Sequence, residues 1–298
     1  MKLDGNKVKL AIAPIGWTND DMPDLGAEIT FEQCVSEMAL AGFVGCEVGN
    51  KYPKDTKVLK HKLDVRGLQV CNAWFSSLLL SEGFDVTIEN FKKHIAFLFE
   101  MGAKVIGASE QGNSIQGKNL DIFAHKPIYT SEEWKAVVYG FNAMGQIAKE
   151  NGMFFTVHHH MGTGVQTAEE IDKLMEMTDS DLVYLLFDTG HLAFSQEDSL
   201  AVLNKYVKRT KHVHLKSIRN NKLTEAKEKG QSFLQAVRNG VFTVPGDGDF
   251  DFLPVFEILA NNDYEGWMVV EAEQDPAIAN PFEYAKLARE YIKQNAGI

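Results

Sequence analysis

The feature that most constrains the fold is a regular alternation of short apolar segments with longer segments of helical spacing. Eight strands are predicted, at residues 8–14, 43–48, 68–74, 103–108, 153–158, 182–188, 211–216 and 266–271. Helical patterns lie near residues 30–41, 55–65, 86–101, 131–150, 167–178, 197–208, 251–261 and 281–294. Helix starts are predicted at the polar residues Thr30, Ser131 and Thr167, where N-caps belong. Repeated βα units of this kind predict a parallel sheet covered by helices.

Two parallel architectures fit eight βα units. An open doubly wound sheet usually carries a GxGxxG turn after its first strand, and this sequence has none there. A closed (β/α)₈ barrel needs about 250 residues and is the better fit, so residues 1–298 are predicted to form one barrel domain. Two long connections, near 109–130 and 217–250, follow strands and therefore belong to the C-terminal face of the barrel.

Composition excludes several classes of partner. Forty-one acidic against thirty basic side chains give a formal charge of −11, which argues against nucleic acid and anionic membranes as partners. No window has the roughly 18–20 apolar residues that a transmembrane helix needs, and residues 1–17 resemble a strand more than a signal peptide. Three widely spaced cysteines indicate reduced, buried thiols. We therefore expect a cytoplasmic protein, with its oligomeric state left open, a homo-oligomer included.

Four consecutive predicted strands end in a residue that can bind a metal. His158 ends the fifth strand, Asp188 the sixth and Glu271 the eighth, and His214 lies near the end of the seventh. Because the C-terminal ends of barrel strands converge on one small volume, these four side chains are predicted to meet. The sequence therefore predicts one metal site with His158, Asp188, His214 and Glu271 as ligands.

The ligand types limit the choice of metal. Two imidazoles and two carboxylates without a thiolate suit Mn²⁺, Co²⁺, Fe²⁺ or Zn²⁺ better than Ca²⁺ or Mg²⁺, and Mn²⁺ or Co²⁺ is favoured. His160 lies two residues beyond His158, and Lys216 two residues beyond His214, on the same strand face in each case. His191 lies three residues after Asp188. We expect these three side chains to support the ligands, to face the substrate or to move protons.

Other strand ends carry weaker candidates, for which burial in the core is an equally good explanation. Polar and aromatic side chains there are predicted to contact a cyclic substrate, and an aromatic ring can pack against the CH face of a sugar-like ring. The substrate-binding candidates are Trp17, Glu47, Asn72, Trp74 and Gln111, and Glu110 is a candidate acid.

The segments DTGH, KHVHLK and GWMVVE resemble those of the xylose isomerase-like barrel superfamily, over nearly the whole chain. That resemblance implies a metal held by a glutamate, an aspartate, a histidine and a glutamate on strands five to eight. Asp188, His214 and Glu271 match the last three positions, whereas His158 replaces the usual glutamate on strand five. Loss of one of the paired glutamates disfavours two-base epimerisation and favours removal of a proton followed by loss of a leaving group.

The segments HHHMGTG, IAPIGWTNDDMP, EVGNKYP and VVEAEQDP are similar to those of the inosose dehydratases of bacterial myo-inositol catabolism. This resemblance implies loss of water from scyllo-inosose, a cyclic polyol ketone, to give a trihydroxycyclohexane-1,2-dione, with Mn²⁺ or Co²⁺. Glutathione is suggested by the family alone. Glu271 is the expected base, and His160, His191, Lys216 and Glu110 are candidates for the acid.

Three other functions remain open at this stage. A metal-dependent ketose epimerase or isomerase would use the same fold and metal. A DNA-repair endonuclease of this fold would need a basic groove, which the acidic composition disfavours. A sugar-binding protein without catalysis would need none of these titratable groups and ranks last.

Overall fold

Eight parallel strands close into a barrel in the computed structural model, which describes residues 2–298. The barrel strands are β1 (Val8–Ile12), β2 (Gly45–Val48), β3 (Gln69–Ser77), β4 (Val105–Glu110), β5 (Phe154–His158), β6 (Val183–Asp188), β7 (Thr210–Leu215) and β10 (Gly266–Val270). Ile12 of β1 pairs with Cys46 of β2 on one side and with Val270 of β10 on the other, so the sheet has no edge. The predicted barrel and all eight predicted strands are confirmed.

Helices connect the strands around the barrel. They are α1 (Phe31–Leu40), α2 (Thr56–Asp64), α3 (Phe84–Met101), α4 (Ser131–Glu150), α5 (Ala168–Met177), α6 (Thr189–Phe194), α7 (Ser199–Tyr206), α8 (Asn220–Glu228), α9 (Phe233–Arg238), α10 (Leu253–Asn261) and α11 (Pro281–Asn295). Each of the eight predicted helical segments overlaps one of them, and Thr30 and Thr167 cap α1 and α5 as predicted. The prediction that Ser131 caps α4 is wrong by one residue, because Thr130 forms a capping box with Glu133.

The long connection at 217–250 is more ordered than a loop. It contains α8, α9 and an antiparallel pair formed by β8 (Ser217–Ile218) and β9 (Phe242–Thr243), none of which the sequence analysis predicted. Ile115 and Ile122 of the other long connection join Phe233, Val237 and Phe242 in a second hydrophobic cluster, separate from the main core. The two connections therefore pack together and build a wall beside the mouth of the barrel.

The main core fills the space between the barrel and its helices. Phe155 of β5 is fully buried and packs edge-on against Phe91 of α3 and Phe141 of α4, with ring centroids 5.6 and 5.5 Å apart. All three cysteines are buried free thiols, as predicted. Among residues 2–298, none of the helices combines the length and the hydropathy that spanning a bilayer requires.

Replacement of Phe155 by alanine is expected to destabilise the barrel, because it removes a fully buried ring and leaves a cavity between α3 and α4. Such truncations cost about 3–5 kcal/mol. Phe154→Ala is the matched control, since the Phe154 side chain is 39% exposed, and it should cost about 1 kcal/mol or less. The unfolding midpoint in urea, followed by circular dichroism, measures both. Equal midpoints for the two variants would contradict the packing described for Phe155.

Candidate metal centre

The barrel brings four ligand-type side chains together at the C-terminal ends of β5, β6, β7 and β10. One donor atom from each of His158, Asp188, His214 and Glu271 lies within 4.8 Å of the others, and all four side chains are buried. Asp188 Oδ2 is 3.2 Å from His158 Nε2 and 3.4 Å from His214 Nδ1. Glu271 Oε2 contacts His214 Nδ1. This spacing can hold one metal ion.

The two carboxylate oxygens of Asp188 have different partners. Oδ1 accepts hydrogen bonds from the backbone N–H groups of Gly190 and His191 and so caps helix α6. Oδ2 faces His158 and His214. The backbone N–H of Asp188 also donates to Nε2 of His159, which points away from the centre as the period-two pattern predicts. One oxygen therefore fixes the carboxylate, and the other is available to a metal.

Several buried donor atoms of the centre have no hydrogen-bond partner. His158 Nδ1 has none, and His214 Nδ1 and Glu271 Oε2 have no hydrogen-bond partner besides their contact with each other. Buried polar atoms are nearly always satisfied, by protein, water or an ion. Carboxylate oxygens and imidazole nitrogens are also a suitable donor set for a borderline divalent cation. The residues present therefore fit a metal ion placed among these atoms.

The charges of the centre require a cation. Burial alone would lower the pKa of His214. The carboxylates of Glu47 and Glu271 outweigh this effect and raise the pKa well above its ordinary value. Burial would raise the pKa of Glu271, yet Lys216 and His214 lower it to about 2. Burial lowers the pKa of His158, so that its imidazole is neutral, the form that binds a metal. Without a metal, a proton on His214 supplies the positive charge.

A fully buried lysine neutralises part of the carboxylate charge. Lys216 Nζ lies 3.0 Å from Glu271 Oε1 and 2.8 Å from Glu273 Oε1, and 3.1 Å from Nε2 of His191. Burial raises the pKa of Glu273 to about 7, a shift that the nearby Lys216 only partly offsets. Glu273 therefore changes its protonation state near neutral pH, unlike the other carboxyl groups around the metal position.

His160 and His191 lie beside the centre, with ring centroids 3.9 Å apart. His160 Nδ1 is 2.9 Å from the carbonyl oxygen of Met161, so this nitrogen carries the proton and Nε2 keeps its lone pair. Burial, together with the charge of Lys216, lowers the pKa of His160 to about 3. His160 is therefore a neutral imidazole. The ring of Phe233 packs against both histidines.

A cavity of about 610 Å³ opens above the centre. Seven of the residues predicted for the site line it, namely Glu47, Trp74, Gln111, His158, His160, His214 and Glu271. Trp74 packs edge-on against His158 and His160. The side-chain nitrogen of Gln111 is buried without a hydrogen-bond partner.

Four predicted residues lie behind the cavity wall. The side chains of Lys216, His191 and Asp188 are fully or almost fully buried: Asp188 faces the metal position, whereas Lys216 and His191 act through their neighbours. Asn72 is buried too, and it binds Glu47 and the backbone of Gly107.

Two predicted residues have structural contacts in place of the expected ones. Trp17 is 1% exposed and donates to Glu37 on α1, so the expectation that it contacts substrate finds no support. Glu110 does not line the cavity. Its oxygens accept hydrogen bonds from Ser77 and from the backbone N–H groups of Leu79, Leu80 and Gly112, which ties the end of β4 to the end of β3. The geometry therefore does not support Glu110 as the acid.

Sequence reasoning assigned no role to several cavity residues. Glu273 was recognisable from the period-two pattern, because it follows Glu271 on the same face. Asp20, Asp21, Gln116 and Lys118 come from loops, where no periodicity marks an inward-facing side chain. Asp21 accepts a hydrogen bond from the side chain of Gln116, which joins the loop after β1 to the connection after β4.

Comparisons with known proteins agree with this geometry. The model of a family described as "Xylose isomerase-like TIM barrel" matches residues 35–295. The chain is 64% identical to a curated relative named inosose dehydratase from Geobacillus thermodenitrificans (strain NG80-2), over 98% of this chain and 99% of the relative. It is also 64% identical to a relative of the same name from Clostridium tetani (strain Massachusetts / E88), with the same coverage.

Solved structures show the same fold at much lower identity. The crystal structure of the IOLI protein, described with a binding zinc atom, superposes with a TM-score of 0.72 at 14% identity, covering 97% of this chain and 98% of that one.

Metal binding should strengthen as the pH rises. The raised pKa of His214 means that its imidazole is protonated in the metal-free protein at neutral pH, and the metal must displace that proton. Below that pKa, release of one proton gives about a tenfold gain in Mn²⁺ affinity per pH unit. Calorimetric titration with Mn²⁺ at several pH values between about 5.5 and 7.5, in buffers of different ionisation enthalpy, measures the affinity and the proton release. His214→Ala should bind more weakly and lose most of the pH dependence. An affinity that does not change with pH would contradict the assignment of His214.

Proposed function

The chain belongs to the inosose dehydratase family of xylose isomerase-like TIM barrels, and on that premise we propose that the mouth of its barrel removes water from an inosose with the help of one divalent metal ion. Its activity is that of a carbon–oxygen lyase of the hydro-lyase class. The observation that carries this function is 64% identity over 98% of the chain to relatives of that activity.

The substrate we propose is scyllo-inosose, which loses water to give a trihydroxycyclohexane-1,2-dione in myo-inositol catabolism. The charges of the cavity wall support an uncharged polyol ketone. Five carboxyl groups line the cavity, from Asp20, Asp21, Glu47, Glu271 and Glu273, against a single lysine, Lys118. Such a wall can accept hydrogen bonds from hydroxyl groups, and Lys118 is its only lysine or arginine for binding a phosphate or carboxylate group.

The metal would be held by His158, Asp188, His214 and Glu271. Mn²⁺ or Co²⁺ is the metal we propose, and Zn²⁺ or Fe²⁺ also suits this donor set. When bound, it supplies Lewis-acid polarisation of the substrate's ketone, which makes the neighbouring C–H group more acidic. Glu271 is expected to act only as a ligand, because Oε1 forms an ion pair with Lys216 and Oε2 faces His214. This replaces the earlier expectation that Glu271 is the base.

Two groups on the cavity wall are assigned to opposite proton transfers. Neutral His160 presents the lone pair of Nε2, so we assign it the removal of the proton from the substrate's C–H group. Glu273, whose pKa is about 7, is the acid that protonates the departing hydroxyl, which leaves as water. His160 then loses the proton it gained and Glu273 regains one from solvent. Lys216 and His191 hold these groups in place.

Glu271→Gln and Glu273→Gln separate the two roles, because both substitutions keep the size of the side chain. We expect Glu273→Gln to lower kcat by about 10²–10⁴-fold, the usual contribution of a general acid, and to leave Mn²⁺ affinity within about threefold of the wild type. Glu271→Gln should lower both turnover and Mn²⁺ affinity. Steady-state kinetics and calorimetry on the same preparations measure the two quantities. Near-normal turnover by Glu273→Gln would remove this residue from the proton transfers.

Metal removal and product analysis test the function itself. The purified protein is analysed for metal, treated with a chelator and incubated with scyllo-inosose, with and without added Mn²⁺ or Co²⁺. We expect chelation to abolish the ultraviolet absorbance of the conjugated dione or its enol, and added metal to restore it. Deuterium incorporation into recovered ketose without any such product would favour an epimerase. A fully active, metal-free protein would contradict the metal proposal.

A further inference from the structure

A carboxylate from the opposite side of the barrel contacts the metal-centre histidine. Glu47 on β2 reaches across to β7, where its Oε1 atom lies 3.0 Å from Nε2 of His212 and 3.0 Å from Nε2 of His214. The side-chain amide of Asn72 on β3 donates to the same oxygen at 2.8 Å. Three donors thus converge on one oxygen atom.

These contacts decide which nitrogen of His214 carries the proton. A carboxylate oxygen can only accept, so the Nε2 atom of His214 is a donor in this hydrogen bond. In a neutral imidazole the other nitrogen, Nδ1, then has a lone pair. Nδ1 points at Asp188 Oδ2 and Glu271 Oε2, where the metal position lies. Histidine ligands commonly donate their second N–H group to a carboxylate in this way.

The carboxylate of Glu47 is itself held in place. The side-chain oxygen of Asn72 accepts a hydrogen bond of 2.7 Å from the backbone N–H of Gly107 on β4. A Cβ atom at position 107 would lie 2.8 Å from the side-chain nitrogen of Asn72 and 2.9 Å from Leu186, so glycine permits this approach. A chain of hydrogen bonds therefore runs from β4 through β3 and β2 to β7.

We propose that Glu47 is a positioning residue: by accepting hydrogen bonds from His212 and His214, it fixes His214 with Nδ1 directed at the metal. His212 supports Glu47 from a fully buried place that does not line the cavity. This role differs from the substrate contact expected from the sequence, and it involves only Oε1. It rests on the proposed metal site, since it needs His214 to be a ligand.

Metal affinity provides the first test. Loss of such an outer partner typically weakens metal binding by 10–100-fold, so Glu47→Ala should raise the Kd for Mn²⁺ by about that factor, and Glu47→Gln by less. His212→Ala should also weaken binding. Asp20→Asn is the matched control, because Asp20 lines the same cavity but accepts a hydrogen bond only from the backbone of Asn50, and it should leave the Kd unchanged.

The tautomer of His214 provides a second test. If Glu47 only stabilised the fold, its replacement would not change which nitrogen of His214 carries the proton. Long-range ¹⁵N–¹H spectra of the Zn²⁺-loaded wild-type protein should show His214 with its proton on Nε2. In Glu47→Gln this signal should shift or broaden, while the remaining histidine signals stay in place. A wild-type His214 with its proton on Nδ1 would overturn the proposal, and this measurement remains decisive if Glu47→Ala fails to fold.

A further variant separates failure of this inference from failure of the metal site. If His214→Ala binds Mn²⁺ as tightly as the wild type, the proposed metal site itself is wrong. If His214→Ala weakens binding but Glu47→Ala behaves like Asp20→Asn, only the positioning role of Glu47 is overturned. Weakened binding in both His214→Ala and Glu47→Ala supports both proposals.

Discussion

Closure of the sheet through the pairing of β1 with β10 determines where every functional side chain lies. An open sheet would place β2 and β7 far apart, whereas in the closed barrel Glu47 of β2 contacts His212 and His214 of β7 across the interior. Closure also makes the C-terminal strand ends converge, which brings donor atoms of His158 and Glu271 within 4.8 Å of each other at the proposed metal position.

The second constraint is the balance of charge around the centre. Asp188, Glu271 and Glu273 are buried with a single lysine, Lys216, in contact with them. Buried charges cost several kcal/mol each unless they are paired, so one ammonium group cannot satisfy three carboxylates. A proton on His214 or a divalent metal would supply the missing positive charge, and burial, with a contribution from the charge of Glu271, raises the pKa of Glu273. In the proposed mechanism, metal binding and proton transfer are therefore coupled.

Most of the fold was predictable because it depends on local signals. Strand and helix patterns are set by the spacing of apolar residues, and the capping box at Thr167 is a short-range motif. The structure of the 217–250 connection was not predictable in this way, since β8 and β9 have two residues each and α9 has six. Such short elements are held by packing of Phe233 and Phe242 against the other long connection and against His191, which no periodicity reveals.

The sequence by itself determined the barrel and the set of residue types at the ends of four strands, because side chains alternate along a strand and parallel strands end at one face. Only the tertiary structure decided how these residues divide their work. Contacts between residues far apart in the chain set these roles. Lys216 forms ion pairs with Glu271 and Glu273, and four hydrogen-bond donors hold the carboxylate of Glu110 outside the cavity. Desolvation and charge in the folded barrel, not residue type, make one glutamate a strong acid and another one titrate near pH 7.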